Sequence, residues 1–266
     1  MRFPQPAGPR SILPGILAMM WSTTDALLIG GAVFAAAVLR GITGFGFALA
    51  AVPLISLVLA PVQGAAIAIL LQCMIGFGDL VSVRRLVDIR SLTMMSVGAV
   101  IGTPVGLMTL QRLSANAMRV VIAIIVLGAL VGLVRKVRLA PGPRQAIGAG
   151  VLAGMFSGLA AMPGPPAVAY LLGTATPAAE ARATLMIFFF VTSLLALPGL
   201  LLQGVVGWPT VLAAVASLPL LIAGTHLGGW VFRRLDDGGY QKAAIAMLVV
   251  TAVLAAIRGL WGLAGG

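Results

Sequence analysis

Three stretches of this chain, residues 41–78, 145–179 and 183–232, contain no Asp, Glu, Lys or Arg, and they run for 38, 35 and 50 residues. An α-helix rises about 1.5 Å per residue, so about 20 apolar residues carry it across a hydrocarbon core of about 30 Å. Each stretch is long enough for more than one crossing, which excludes a single-pass anchor. Only 9% of the 266 residues are charged and 61% are hydrophobic, whereas a soluble domain carries about 25% charged residues because its outside must face water. The chain reads as an all-α polytopic membrane protein.

A net charge of +11 does not make it a nucleic-acid binder. The basic residues punctuate apolar runs instead of lining a solvated face. Arg84, Arg85 and Arg90 form one group and Arg135, Lys136, Arg138 and Arg144 another, as in the cytoplasmic loops of membrane proteins. The partners we expect are membrane lipid, a small anion, a coupling proton or sodium ion and a second copy of the chain, with no nucleic acid. The one cysteine, Cys73, lies inside an apolar run, so it can form neither an intrachain disulfide nor a metal cluster; no metal or other cofactor is expected. Residues 1–25, with Arg2 and Arg10 ahead of Ile12–Met20 and Pro14 within that run, read as an uncleaved leader or interfacial segment.

Apolar runs bounded by charge, Gly and Pro predict a block over about 26–60 and helices near 64–83, 92–111 and 118–135. After a basic linker at 137–144 comes a second block over about 145–174 and helices near 183–203, 208–232 and 242–262. The two sets match. In a register of 122, Gly102-Thr-Pro-Val-Gly106 falls on Gly224-Thr-His-Leu-Gly228 and Arg112-Leu113 on Arg234-Leu235. Earlier, a register of 117 places Gly44-Phe-Gly-Phe47 on Ala161-Met-Pro-Gly164. The expected architecture is two homologous halves, 26–136 and 145–262, each a broken or re-entrant helical block plus three transmembrane helices, giving 8–10 membrane segments.

Each first block carries a helix breaker at its centre: Gly41, Gly44 and Gly46 in one half, Pro163-Gly-Pro-Pro166 in the other. Proline removes a backbone donor and glycine weakens a helix. Lipid satisfies no backbone group, so such irregular backbone at membrane depth must be buried in protein or line a cavity. A continuous helix over a block of about 35 residues would reach about 50 Å, too long for one upright crossing, so two arms are expected. That count favours inverted halves, which also place the basic groups at 84–90, 135–144 and 233–242 on one side.

Paired broken helices at the centre of a duplicated bundle are the plan of a secondary transporter, and helix N-termini suit an anion. The residues expected to bind substrate are Arg40, Gly41, Thr43, Gly44, Phe45 and Gly46 at the first break, and Ser157, Gly158, Met162, Pro163, Gly164 and Pro165 at the second. Arg40 either offers paired N–H donors to a sulfonate, sulfite or carboxylate, or ends a span at the interface. Asp79 either pairs with Arg84 or Arg85 or relays a proton, and Arg182 is either a gate cation or a loop charge paired with Glu180. His226 is either a core histidine or a proton-coupling group. Gln72, Thr192, Ser193 and Thr225 complete the set that could line a path or join neighbouring helices. One His and one Cys make an enzyme improbable.

These same residues carry a resemblance. Gly41-Ile-Thr-Gly-Phe-Gly-Phe47 running into Pro53, Gly154-Met-Phe-Ser-Gly158, Met162-Pro-Gly-Pro-Pro166 with Tyr170, and Arg182-Ala-Thr-Leu185 resemble the glycine-rich blocks of the TauE/SafE family of sulfite and organosulfonate exporters. The likeness covers about 26–262. Both breaks depart from the family's commoner Gly-x-Gly-Gly-Gly form. The resemblance implies a multi-pass protein of the bacterial inner membrane that exports sulfur-containing anions such as sulfite or sulfonates. Alternatives are an anion channel, an uptake permease for another small anion, or a membrane assembly subunit.

Overall fold

The computed structural model describes residues 22–110, 142–174, 176–236 and 238–240, with positions 242, 243, 245, 246 and 249 beyond them. Most of the leader, the span expected at 118–135, most of that expected at 242–262, Arg112-Leu113 and most of the basic linker lie outside the described residues. Eight helices are defined in this range: α1 (Thr23–Thr43), α2 (Phe47–Ile55), α3 (Pro61–Val83), α4 (Ile89–Leu110), α5 (Pro143–Ala160), α6 (Gly164–Gly173), α7 (Ala178–Leu202) and α8 (Trp208–Phe232). No strand occurs among the described residues.

Local chemistry sets the boundaries. Ser22 caps α1 in a reciprocal capping box with Asp25, and proline occupies the first turns of α3, α5, α6 and α8, where its missing N–H costs no helix bond. Asp88 Oδ1 accepts from the N–H groups of Arg90 and Ser91 and so starts α4. The helix expected from 183 begins earlier, at Ala178: Glu180 and Arg182 sit in its first turns, where an acid favours the positive helix end. Both expected breaks are present. α1 ends at Gly44 with φ 79°, and α5 ends at Ala161 with φ 59°, a pair that falls on the register of 117.

Five helices, α1, α3, α4, α7 and α8, are long and apolar enough to cross a membrane. Their outward faces carry large apolar side chains such as Leu27, Phe77, Ile101, Leu202 and Trp208, a surface that water would penalise and lipid accepts. The core joins both short helices to the bundle, with Phe45, Phe47, Leu49, Met162, Val168 and Phe188 buried together.

Helix pairing crosses between the halves. α1 packs on α8 and α4 on α5. On the second seam, a Cβ added to Gly154 would fall 2.7 Å from the Ala99 carbonyl oxygen and one on Gly158 2.5 Å from that of Thr103; Gly98, Gly102 and Gly106 meet Ile147, Val151 and Met155 as closely. On the first seam Gly224 faces Phe34 and Ala37, and Gly41 lies against Thr225 and Gly228. Contacts on both seams advance together along the two helices, so both pairs are parallel. Only small residues let helix backbones approach this far, placing Cα–H groups against carbonyls. α3 and α7, which correspond in the register of 117, instead run antiparallel: Gly76 meets Phe190, while Val83 packs with Ala183, Met186 and Ile187.

Candidate functional site

The first break is built by two glycines with left-handed backbone, Gly44 at φ 79° and Gly46 at φ 86°. A side chain at Gly44 would be strained, and it would also fall 2.6 Å from the Arg182 carbonyl oxygen. Thr43 Oγ1 donates within the turn, to the carbonyls of Leu39 and Phe45. The second break uses Ala161 in the same conformation, followed by Pro163 as cap. The two breaks meet in the core: a Cβ on Gly164 would lie 3.1 Å from Leu49 Cδ1 and 3.7 Å from Phe45 Cδ2. Gly41, Thr43, Gly44, Phe45, Gly46, Ser157, Gly158, Met162, Pro163, Gly164 and Pro165 are all buried.

Arg40 is 1% exposed, one turn before the first cap. Its Nε donates to Gln72 Oε1 at 3.0 Å, and Nη2 pairs with the buried carboxylate of Asp79. Nη1 has no partner among the described residues. Arg40 therefore lies in the last turn of α1, buried among helices and held by α3. Asp79 does not pair with Arg84 or Arg85, which are exposed past the end of α3; the interior guanidinium of Arg40, reaching from the last turn of α1, holds it.

Arg182 reaches from α7 to the end of α1, where Nη2 and Nε donate to the Gly41 carbonyl at 2.7 and 3.0 Å. Its guanidinium lies 4.6 Å from the Phe232 ring centroid. It is thus a cation on the negative end of a helix, not a loop charge paired with Glu180. Tyr240, which the sequence reading left without a role, donates its hydroxyl to the Thr43 carbonyl at 3.0 Å. A lone tyrosine just after Asp236-Asp237-Gly238-Gly239 was the available signal. The carbonyls of Gly41 and Thr43 at the end of α1 thus both accept from side chains that lie far along the chain.

The remaining residues divide. Ser157 Oγ donates to the Thr192 carbonyl at 3.3 Å, and Thr192 and Ser193 are buried on α7. Thr225 lies on the α1/α8 seam, and His226 is on the exposed face of α8, away from both breaks. The first turn of α2, Gly46 to Leu49, holds N–H groups that lack intrahelical acceptors; the corresponding turn of α6 is Pro163-Gly164-Pro165-Pro166, in which only Gly164 has an N–H. Anion-suited donors therefore concentrate at the first break. Among the described residues no group of three or more His, Cys, Asp or Glu could hold a metal.

The family model described as sulfite exporter TauE/SafE matches residues 28–255. No curated protein and no solved structure matches the chain. The matched region takes in both breaks, the Arg40–Asp79 pair, Arg182 and Tyr240, and its long apolar helices make this a multi-pass membrane protein. The chain belongs to the TauE/SafE sulfite exporter family, whose members are membrane transporters and not enzymes.

Proposed function

We propose that this protein is a secondary transporter that exports sulfur-containing anions such as sulfite or sulfonates, binding them at the first helix break beside Arg40. The observation that carries this is the Arg40 guanidinium. It is buried in the bundle, held by Gln72 and Asp79 on two of its nitrogens, and has a third nitrogen, Nη1, without a partner among the described residues. A buried donor left unpaired costs free energy that a ligand oxygen recovers, and guanidinium geometry matches a planar or tetrahedral oxyanion. The unused N–H groups at the start of α2 add donors without adding a countercharge. The second break, Ser157, Thr192 and Ser193 continue the path.

The halves are inverted in this reading. Corresponding helices α3 and α7 run antiparallel, which parallel repeats would not produce. The ends of α1, α3 and α8 also meet the starts of α4, α5 and α7, gathering Arg84, Arg85, Arg90, Arg144, Arg233 and Arg234 on one side. That side is cytoplasmic by the positive-inside rule, so Arg40 stands nearer the compartment from which an exporter loads.

Binding of sulfite and methanesulfonate to purified protein in detergent tests the site. Arg40→Gln should weaken both by about 10- to 100-fold, the worth of one charge-assisted contact of about 1.5–3 kcal/mol. Unchanged binding in a folded Arg40→Gln variant would remove Arg40 from the site.

A further inference from the structure

We infer that the first break is a site for one negative charge: it selects monovalent over divalent oxyanions and makes each transport cycle move one net charge. This rests on the anion-transport reading above and adds the valence of the substrate. Two guanidiniums, Arg40 and Arg182, and one carboxylate, Asp79, converge on the end of α1, leaving one positive charge uncompensated. The Arg40–Asp79 contact is the only Lys/Arg to Asp/Glu ion pair among the described residues, and Arg182 is held by a carbonyl and an aromatic ring instead.

Among the described residues, no other charged side chain bonds to the network: Asp236 is exposed and accepts from the Gly239 N–H, and Lys242 is exposed. Tyr240 is a neutral phenol bonded to Thr43, and Arg233 is exposed at the end of α8, where solvent screens it. α2 carries no ionisable side chain, His226 is on the exposed face of α8, and Glu180 forms no ion pair among the described residues. Inside a low-dielectric bundle an unpaired charge is costly, so a single anion on Arg40 Nη1 completes the balance while a second negative charge overshoots it. The loaded site is then neutral and the empty one carries +1. Return of the empty, positive site toward a negative interior draws the cycle in the export direction.

Changing the tally by substitution tests the inference, with methanesulfonate as the monoanion and sulfate as the dianion. The wild type should bind methanesulfonate at least about 10-fold more tightly than sulfate. Asp79→Asn, which raises the tally by one, should abolish or reverse that preference. Arg182→Gln, which lowers it by one, should weaken methanesulfonate about 10-fold, and the double variant should restore the wild-type preference. A structural role for either residue would give a double variant worse than both singles, and that result overturns the inference. If the single variants do not fold, wild-type protein in vesicles decides: the potential at which methanesulfonate flux reverses should shift with the anion gradient as for one charge per anion, and a flux indifferent to potential overturns it. Methanesulfonate that binds without preference over sulfate sinks the charge tally alone, whereas a wild type that binds neither sulfite nor methanesulfonate sinks the transport reading as well.

Discussion

One turn before the first break stands Arg40; at the corresponding place before the second stands Ser157. The same register of 117 sets Gln72 opposite Phe189 and Asp79 opposite Ala196. The backbones agree closely enough for both long helices to end on a left-handed residue, yet one break holds a buried ionic network and the other a single hydroxyl bonded to the Thr192 carbonyl. The second half supplies Arg182 and Tyr240 to the first break, so it contributes its charge across the molecule and keeps almost none for itself. The two matched breaks therefore offer two places for a polar network, and the side chains decide which of them holds it.

Substitutions at matched positions sharpen this contrast. Asp79→Ala strands a buried guanidinium and should lower stability by about 3–5 kcal/mol, while Ala196→Gly at the corresponding site should cost only the helix penalty of about 1 kcal/mol; thermal unfolding in detergent reads both, and equal losses would dissolve the distinction. Gly44→Ala should cost about 2–4 kcal/mol, combining a left-handed alanine with the clash against Arg182. Ser157→Ala should cost about 1 kcal/mol, the net worth of one neutral hydrogen bond, and leave anion binding within about twofold. Ala161→Gly should be the mildest, within about 1 kcal/mol of wild type and on the stabilising side, because it relieves the left-handed strain that Gly44 never carries. A destabilising Ala161→Gly would mean that the alanine methyl has a packing role outweighing its strain.

Much of the frame was legible in the sequence for reasons these residues make plain. Gly44, Gly46 and Pro163 stop a helix by their covalent structure, and the Gly-Thr-x-x-Gly segments mark where two backbones touch, so breaks and seams could be read locally. The Arg40–Asp79 pair could not. Its partners are 39 residues apart, and the Arg182–Gly41 contact spans 141, so each exists only after helices have packed. Local reading instead joined Asp79 to Arg84 and Arg182 to Glu180, the nearest opposite charges along the chain. The start of α7 was placed late for a related reason: Glu180 and Arg182 read as the end of membrane, whereas Pro177 begins the helix and carries both inside it.

The glycine-lined seams set the order in which the molecule can be completed. During synthesis α4 emerges with Gly98, Gly102 and Gly106 before the helix they pack against in the finished molecule, α5, has been made. The groove along α1 waits longer, since its filler, Trp208–Phe232, is among the last described segments to leave the ribosome. A chain truncated before residue 208 would keep its first break but lose the helix lying against it, and quality control would meet an exposed backbone groove, not a smaller working transporter.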